Sequence, residues 1–255
     1  MLYYFSGLGN TAFAARRIAA ITGNDLSYIP ATDPLKEIVN GSSIGFLFPI
    51  YSWGVPPNVL KFIETLPEDF IQVIKKRKLP VWMVCTCGDE TGNAAEMLRN
   101  CLAKRGLSLD GAWSVIMPNT YVLLPGFDVD SPDLENKKLS KCLPRIDAIA
   151  DKINNEKWEW NLHKGSFPAL RTKLIYPLFM KWGISTEKWH HTSACVKCGK
   201  CVRSCPVKNI SLGENGPIWG DNCLSCLACY HNCPYHAVEY GNITRKKGQY
   251  TCPLK

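Results

Sequence analysis

Two copies of one cysteine pattern, C-x2-C-x2-C-x3-C-P, constrain what this chain can fold into more than any other feature of its sequence. The first copy spans residues 195–206 and the second spans residues 223–234. Segments this short build no sufficient hydrophobic core, so they need a metal or disulfides as cross-links. The first residues of the chain read as a strand, without the basic start of a secretory signal. We therefore expect metal or redox chemistry from the 13 cysteines, and a cytoplasmic protein.

The spacing within each copy predicts iron–sulfur clusters. Three thiolates on one tight loop can cap three irons of a cubane, and the turn before the proline carries the fourth thiolate away from that loop. Structural zinc is the alternative, because C-x2-C pairs also form tetrahedral sulfur sites. Zinc sites do not usually need a third cysteine in the same loop, or a proline after the fourth. The complete motif occurs twice, which favours iron and sulfide.

Over about residues 190–240 the chain resembles the bacterial two-cluster ferredoxins, in which the fourth cysteine of each motif ligates the other cluster. The resemblance implies two [4Fe-4S] clusters. The implied ligands of the first cluster are Cys195, Cys198, Cys201 and Cys233. The implied ligands of the second cluster are Cys223, Cys226, Cys229 and Cys205.

The first 155 residues alternate short apolar runs with stretches whose apolar residues recur at helical spacing. The apolar runs predict strands at residues 2–5, 26–29, 44–48, 81–86 and 112–117. The helical patterns cover residues 11–21, 58–66, 93–105 and 139–153. Strands separated by helices form βαβ units, so we expect a flavodoxin-like, doubly wound, five-stranded parallel sheet. The expected fold class is α/β, followed by a small α+β domain of the two-cluster ferredoxin type.

The loop after the first predicted strand fits two kinds of phosphate-binding loop. Residues 7–12 fit the dinucleotide fingerprint G-x-G-x-x-G/A, and Asp33 is placed well enough to meet a ribose of NAD. Residues 6–11 also fit the hydroxyl-rich loop with which flavodoxins hold the phosphate of FMN. Both loops use backbone N–H groups at a helix N-terminus to bind an anion. FMN binding requires two further loops from the same sheet, and the sequence contains both.

The first of these two loops follows the third strand and carries two large aromatic residues that can stack on a flat ring. The second follows the fourth strand and contains Cys-Gly-Asp, which resembles the segment that holds the pyrimidine side of FMN in some flavodoxins. The whole chain thus resembles the bacterial family that fuses a flavodoxin domain to a two-cluster ferredoxin, and FMN is favoured over NAD. The implied phosphate contacts are Ser6, Leu8, Gly9, Asn10, Thr11 and Ala12. The implied ring contacts are Pro49, Ile50, Tyr51, Ser52, Trp53, Gly54, Thr86, Cys87, Gly88 and Asp89.

Two departures from the flavodoxin pattern bear on function. Leu8 stands where flavodoxins commonly carry threonine, so one phosphate hydroxyl is missing. No aromatic residue follows Gly92, where many flavodoxins stack a tyrosine, so one flavin face is expected to be open. Residues 117–128 either close over the flavin, with Asn119 and Tyr121 at its edge, or form an ordinary loop.

The predicted organisation is an FMN-binding domain at residues 1–155, a linker at residues 156–190 and a two-cluster domain at residues 191–255. The aromatic and basic linker is expected to pack across the two domains, and a membrane-surface or partner-docking role is the alternative. Residues 1–155 carry 16 basic and 16 acidic side chains, so the formal charge of +8 arises in the remainder. Each cubane with its thiolates adds roughly −2 there, which argues against a nucleic-acid partner. Prolines and glycines interrupt the apolar residues 44–60, so stable membrane insertion is not expected.

These features predict an electron-transfer flavoprotein that passes single electrons between the clusters and FMN and on to a redox partner. A reductase that acts on a small-molecule acceptor at the open flavin face is the alternative. A third hypothesis is a regulatory protein whose clusters are structural or sense oxygen. The sequence predicts neither the identity of a partner nor the oligomeric state.

Overall fold

The computed structural model describes residues 1–254 and contains a six-stranded parallel sheet. The strands are β1 (Leu2–Tyr4), β2 (Leu26–Tyr28), β3 (Ile44–Pro49), β4 (Val81–Cys87), β5 (Gly111–Ile116) and β6 (Trp160–Asn161). Their order along the sheet is β2-β1-β3-β4-β5-β6. The first five strands have the order of flavodoxin-like folds, which confirms the predicted doubly wound sheet.

Helices cover both faces of this sheet. They are α1 (Asn10–Thr22), α2 (Pro57–Thr65), α3 (Glu68–Arg77), α4 (Ala94–Lys104) and α5 (Pro132–Asn154). Helices α1 and α5 pack on the face that contains Leu2 and Trp82. Helices α2, α3 and α4 pack on the face that contains Tyr3 and Met83. Successive strand residues point to opposite faces of the sheet. In the central strands both sets of residues are apolar, as in other buried parallel sheets.

The prediction of five strands was wrong by one. Strand β6 lies within the segment predicted as a linker and pairs with β5 through Trp160 and Asn161. A strand of two residues is too short to show an alternating sequence pattern. It can be recognised only by its pairing with β5. The sequence pattern also missed helix α3, and α5 begins at Pro132 and continues through Pro144.

The segment after β6 returns to the sheet as a short helical stretch. It consists of α6 (Pro168–Leu170), a π-helical turn (Arg171–Ile175) and α7 (Tyr176–Trp182). No helix within residues 1–254 is both long enough and apolar enough to cross a membrane.

The cysteine motifs lie among short strands and helices that repeat after 28 residues. Strand β7 (Trp189–His191) pairs with β10 (Val238–Tyr240), and β8 (Ile210–Gly213) pairs with β9 (Gly216–Trp219). Helices α8 (Lys200–Ser204) and α9 (Ala228–His231) begin just before the third cysteine of their motifs. Positive φ angles occur at three positions of the first copy and at the same positions of the second: Lys197, Gly199 and Lys208, then Ser225, Leu227 and His236. The two motifs therefore have the same backbone course.

The cysteine-rich part packs directly on the loop that follows β1. A Cβ atom placed on Gly7 would lie 2.7 Å from the carbonyl oxygen of Cys226. Close to the C-terminus, the Tyr250 hydroxyl donates to Asn10 at 2.6 Å, and the Cys252 N–H donates to the Leu8 carbonyl at 2.9 Å. The end of the chain thus fastens the two parts together.

Candidate functional site

A cleft of about 880 Å³ opens between the sheet and the cysteine-rich part. Its floor consists of the loops that follow β1, β3, β4 and β5, at the carboxyl ends of the parallel strands. Ligands of open α/β sheets bind at this edge, where the strand order reverses, and here the reversal lies between β1 and β3. The volume is in the range of clefts that hold cofactors.

Most of the predicted FMN contacts line this cleft. They are Ser6, Leu8, Asn10, Thr11, Pro49, Ile50, Tyr51, Ser52, Trp53, Thr86, Cys87, Gly88 and Asp89. The other three predicted contacts, Gly9, Ala12 and Gly54, do not line the cleft. Gly9 faces Cys252, Ala12 is buried in α1, and Gly54 lies against the ring of Tyr176.

The loop after β1 presents the N-terminus of α1 to the cleft. Gly9 has a φ of 102°, which lets the chain turn directly into the helix at Asn10. The Asn10 amide is occupied by Pro118 and Tyr250, and the Thr11 hydroxyl is hydrogen-bonded to that of Thr86 at 2.7 Å. The first backbone N–H groups of a helix have no intrahelical partner, so those at the start of α1 could donate hydrogen bonds to an anion in the cleft.

A buried ion pair supports the loop after β4. The Lys138 side chain is 7% exposed, and its ammonium lies 2.7 Å from Asp130 and 3.5 Å from Asp89. Asn119 links the two carboxylates, because its backbone N–H donates to Asp130 and its side-chain amide donates to Asp89. Burial and the Asp89 carboxylate raise the pKa of Cys87 to about 12, so this thiol stays neutral. The network fixes the position of Asp89 at the cleft.

The helical stretch at residues 168–182 forms one wall of the cleft, and the sequence did not predict this. Arg171, Phe179 and Trp182 line the cleft from this side. Arg171 pairs with Glu90, and its guanidinium lies over the ring of Trp53 at 4.9 Å from the centroid. The aromatic and basic composition of residues 156–190 was the available signal, but it did not specify where the segment would pack.

Two hydrogen bonds hold this wall against the loop after β3. The Thr172 hydroxyl donates to the Trp53 carbonyl at 2.7 Å, and the Tyr176 hydroxyl donates to the Val55 carbonyl at 2.6 Å. We expect Tyr176→Phe to leave the Val55 carbonyl unpaired, at a cost of about 1–3 kcal/mol. Hydrogen–deuterium exchange across residues 168–182 should therefore become faster. Tyr4→Phe, outside the cleft, is the control, and equal exchange in the two variants would contradict the prediction.

The structure groups the motif cysteines into two sets of four, each with three from one motif and one from the other. The first cysteine set lines one cavity and consists of Cys195, Cys198, Cys201 and Cys233. In the second cysteine set, Cys205 lies close enough to act electrostatically on Cys223, Cys226 and Cys229. The resemblance to two-cluster ferredoxins implies the same exchange of the fourth cysteine. The ligand sets stay a prediction, because no three of these side chains form a metal-binding group within residues 1–254.

Backbone donors favour negative charge on the fourth cysteine of each motif, whereas burial keeps Cys226 a neutral thiol unless a metal is bound. Backbone N–H groups point at the fourth cysteine of each motif, from Asn209 to Cys205 at 3.2 Å and from Ala237 to Cys233 at 3.3 Å. Burial raises the pKa of the Cys226 thiol to about 12. A buried thiol of this kind becomes a ligand only when a metal supplies positive charge.

The two sets differ in their exposure. Cys198 of the first set is exposed to solvent. Cys226 of the second set lines the cleft together with Ser225 and Leu227. Burial raises the pKa of Tyr51 in the cleft wall, and negative charge on the nearby Cys226 and Cys223 raises it further. The second set therefore borders the cleft, whereas the first set reaches the protein surface at Cys198.

His231 links helix α9 to the loop after β5. Its Nδ1 atom accepts a hydrogen bond from the Tyr250 N–H at 3.0 Å, so the ring proton is on Nε2, which donates to the Thr120 carbonyl at 2.8 Å. Burial lowers the pKa of His231 to about 4, which keeps the ring neutral. The histidine has a structural role at the junction.

Comparison with known proteins identifies the cysteine-rich part. Residues 194–238 match the family model described as a 4Fe-4S dicluster domain. The chain joins a flavodoxin-like fold to a 4Fe-4S dicluster domain. A ferredoxin from Pyrobaculum islandicum is 34% identical to the chain over 64 residues. The match covers 22% of this chain and 59% of that ferredoxin, so the chain spans less than two thirds of its relative.

Two solved structures resemble the chain at low sequence identity. A provisionally named flavoprotein from Bacteroides uniformis is 18% identical, with a TM-score of 0.37, over 46% of this chain and 88% of its own. Rubredoxin oxygen:oxidoreductase from Desulfovibrio gigas is 15% identical, with a TM-score of 0.36, over 60% of this chain and 36% of its own. The flavodoxin-like assignment rests on the strand order of the sheet, and these similarities add nothing about ligands or activity.

Proposed function

We propose that this chain is an electron-transfer protein that binds FMN in the cleft and a [4Fe-4S] cluster at each cysteine set. When bound, a cluster exchanges one electron and FMN exchanges one or two, so the protein can connect single-electron and two-electron carriers. One observation carries the proposal. Cys226 of the second cysteine set lies in the wall of the cleft and in contact with Gly7 of the loop after β1.

The position of Asp33 supports FMN over a dinucleotide. A dinucleotide site needs an acidic residue at the ribose. Asp33 instead caps a short helical turn, where its carboxylate accepts from the Leu35 N–H and pairs with Lys36, and it does not line the cleft. A single phosphate at the N-terminus of α1 requires no such residue.

The surrounding side chains fit the rest of the FMN molecule. The aromatic residues Tyr51 and Trp53 lie in one wall of the cleft, and the Gly88–Asp89 corner lies in another. Asn119 packs against Gly88 so closely that a Cβ atom there would overlap its amide. These loops can hold a flat ring from two sides, while Lys138 holds Asp89 in place at the polar corner of the cleft.

The exposure of the cysteine sets suggests the order of electron transfer. Cys198 of the first set is exposed, as is the neighbouring Val196, and the basic residues Lys197 and Lys200 lie beside them in the chain. A redox partner would meet the protein there. The second set would then connect the first set to the flavin, because Cys226 borders the cleft.

A reductase acting on a small molecule is the second candidate function, and the mouth of the cleft supports it. Leu124, Phe127 and Trp182 line the cleft but are 47%, 44% and 61% exposed. An apolar acceptor would find contacts there beyond those of the flavin. Mixing the reduced protein with candidate acceptors separates the two functions, because turnover without an added protein indicates a reductase.

Anaerobic purification tests the proposal directly. We expect about eight irons per chain from two cubanes, together with one released FMN. A visible spectrum titrated with a low-potential reductant should show bleaching of both the flavin and the iron–sulfur absorbance. Colourless protein, or protein that carries zinc and no flavin, would contradict the proposed function.

A further inference from the structure

Two buried side-chain donors beside the second cysteine set have no hydrogen-bond partner within residues 1–254. They are the hydroxyl of Tyr51 and the indole N–H of Trp219. Buried polar groups of this kind are rare, because a buried donor without a partner has lost its hydrogen bonds to water and gained none in return. A bound group that accepts both hydrogen bonds would remove this cost.

Tyr51 holds its hydroxyl at the boundary between the cleft and the cysteines. Its ring packs edge-on against Phe5 at 6.2 Å and against Phe179 at 6.4 Å, which fixes it from two sides. Tyr51 and Cys226 pack against the same hydrophobic core and line the same cleft. The hydroxyl therefore lies in the narrow zone between the FMN loops and the second cysteine set.

Trp219 ends strand β9 and lies next to Cys229 of the same set. Its ring stacks on Trp189 with centroids 6.2 Å apart, which fixes the direction of the indole. Burial raises the pKa of Cys229, and the Trp219 N–H facing that thiol opposes the effect. The contact falls outside ordinary hydrogen-bond geometry with the thiol itself, so the donor is directed at the site but is not yet paired.

We propose that Tyr51 and Trp219 donate hydrogen bonds to the sulfur atoms of the cluster held by the second cysteine set and thereby raise its reduction potential. This inference rests on the proposed function. Reduction adds negative charge that is shared by the sulfur atoms, and nearby donors stabilise that charge. The 28-residue repeat places His191 where Trp219 stands, so the two sets differ in their donors although their motifs are alike.

Redox titration of the anaerobic holoprotein, followed by electron paramagnetic resonance, tests the inference. We expect Tyr51→Phe and Trp219→Phe each to shift the potential of one cluster, the same one, to a more negative value. The other cluster should keep its potential. Tyr51→Phe removes one oxygen atom and retains the ring packing, and its iron content checks that both clusters are present.

Tyr28→Phe is the matched control. Tyr28 also lies near Cys226 and Cys205, but its hydroxyl already donates to the Ser6 carbonyl at 3.1 Å. Loss of the Tyr28 hydroxyl should leave the reduction potentials of both clusters unchanged. In resonance Raman spectra, deuterium oxide should shift the iron–sulfur modes of the wild type, and part of this shift should be lost in Tyr51→Phe.

The outcomes separate this inference from the function on which it rests. Two clusters with potentials unmoved in both Tyr51→Phe and Trp219→Phe would overturn the inference and leave the proposed function intact. A shift of the same size in Tyr28→Phe would also overturn it, because the effect would then be general. A wild-type protein without a second cluster would contradict the proposed function, and the inference with it.

Discussion

Replacing Cys226 by serine is expected to abolish electron transfer from the first cysteine set to the flavin in the cleft. Cys226 belongs to the second cysteine set, and this member of the set borders the cleft. Loss of this ligand removes or disrupts the cluster nearest the flavin, so the iron content should fall from about eight towards about four per chain. In stopped-flow experiments the cluster of the first set should then stay reduced while the flavin stays oxidised.

Two control variants define this result. Cys198→Ser should disrupt the exposed first set and leave exchange between the second set and the flavin intact, because Cys198 lies away from the cleft. Cys101→Ser removes a buried thiol of α4 that faces the Leu60 carbonyl of α2, and it should change neither iron content nor transfer. Flavin reduction in Cys226→Ser at the wild-type rate would show that electrons reach the cleft by another route.

Replacing Lys138 by methionine is expected to give the largest loss of stability among these variants. The change leaves the carboxylate of Asp130, which is 6% exposed, without its charge partner. Breaking a buried ion pair in this way costs about 3–5 kcal/mol. The free energy of unfolding, measured by urea denaturation under nitrogen, should fall by this amount. FMN should also dissociate more readily, because Asp89 and Asn119 lose the group that positions them.

Lys137→Met is the matched control, because Lys137 is the preceding residue of α5 and its side chain is exposed. Its free energy of unfolding should change by no more than about 0.5 kcal/mol. Adding Asp130→Asn to Lys138→Met should recover part of the loss, since the unpaired charge is then gone. If Lys138→Met were as stable as Lys137→Met, the buried pair would have no structural role.

The two variants also test different halves of the proposal. Cys226→Ser should lower the iron content, whereas Lys138→Met should weaken FMN binding and leave the iron content nearly unchanged. A variant that altered both would indicate that the flavin loops and the cysteine motifs depend on one another through their contact at Gly7.

The sequence by itself determined the features that depend on local spacing. Five of the six strands were predicted because each lies in a short run rich in apolar residues without helical spacing. The cysteine motifs were found because their ligands must lie a few residues apart along one loop, and 4Fe-4S dicluster segments share that spacing. The predicted sheet also indicated that the loops at the carboxyl ends of its strands would form the binding site.

The tertiary structure decided which distant residues meet. Nothing in the local pattern showed that Lys138 would pair with Asp130 beneath Asp89, that residues 168–182 would close the cleft, or that Cys226 would lie against Gly7. Local spacing fixes which backbone conformations and ligand loops are possible, since these depend on neighbours along the chain. Contacts between segments depend on how whole faces bury apolar surface and pair charges, and that is settled only when the complete chain packs.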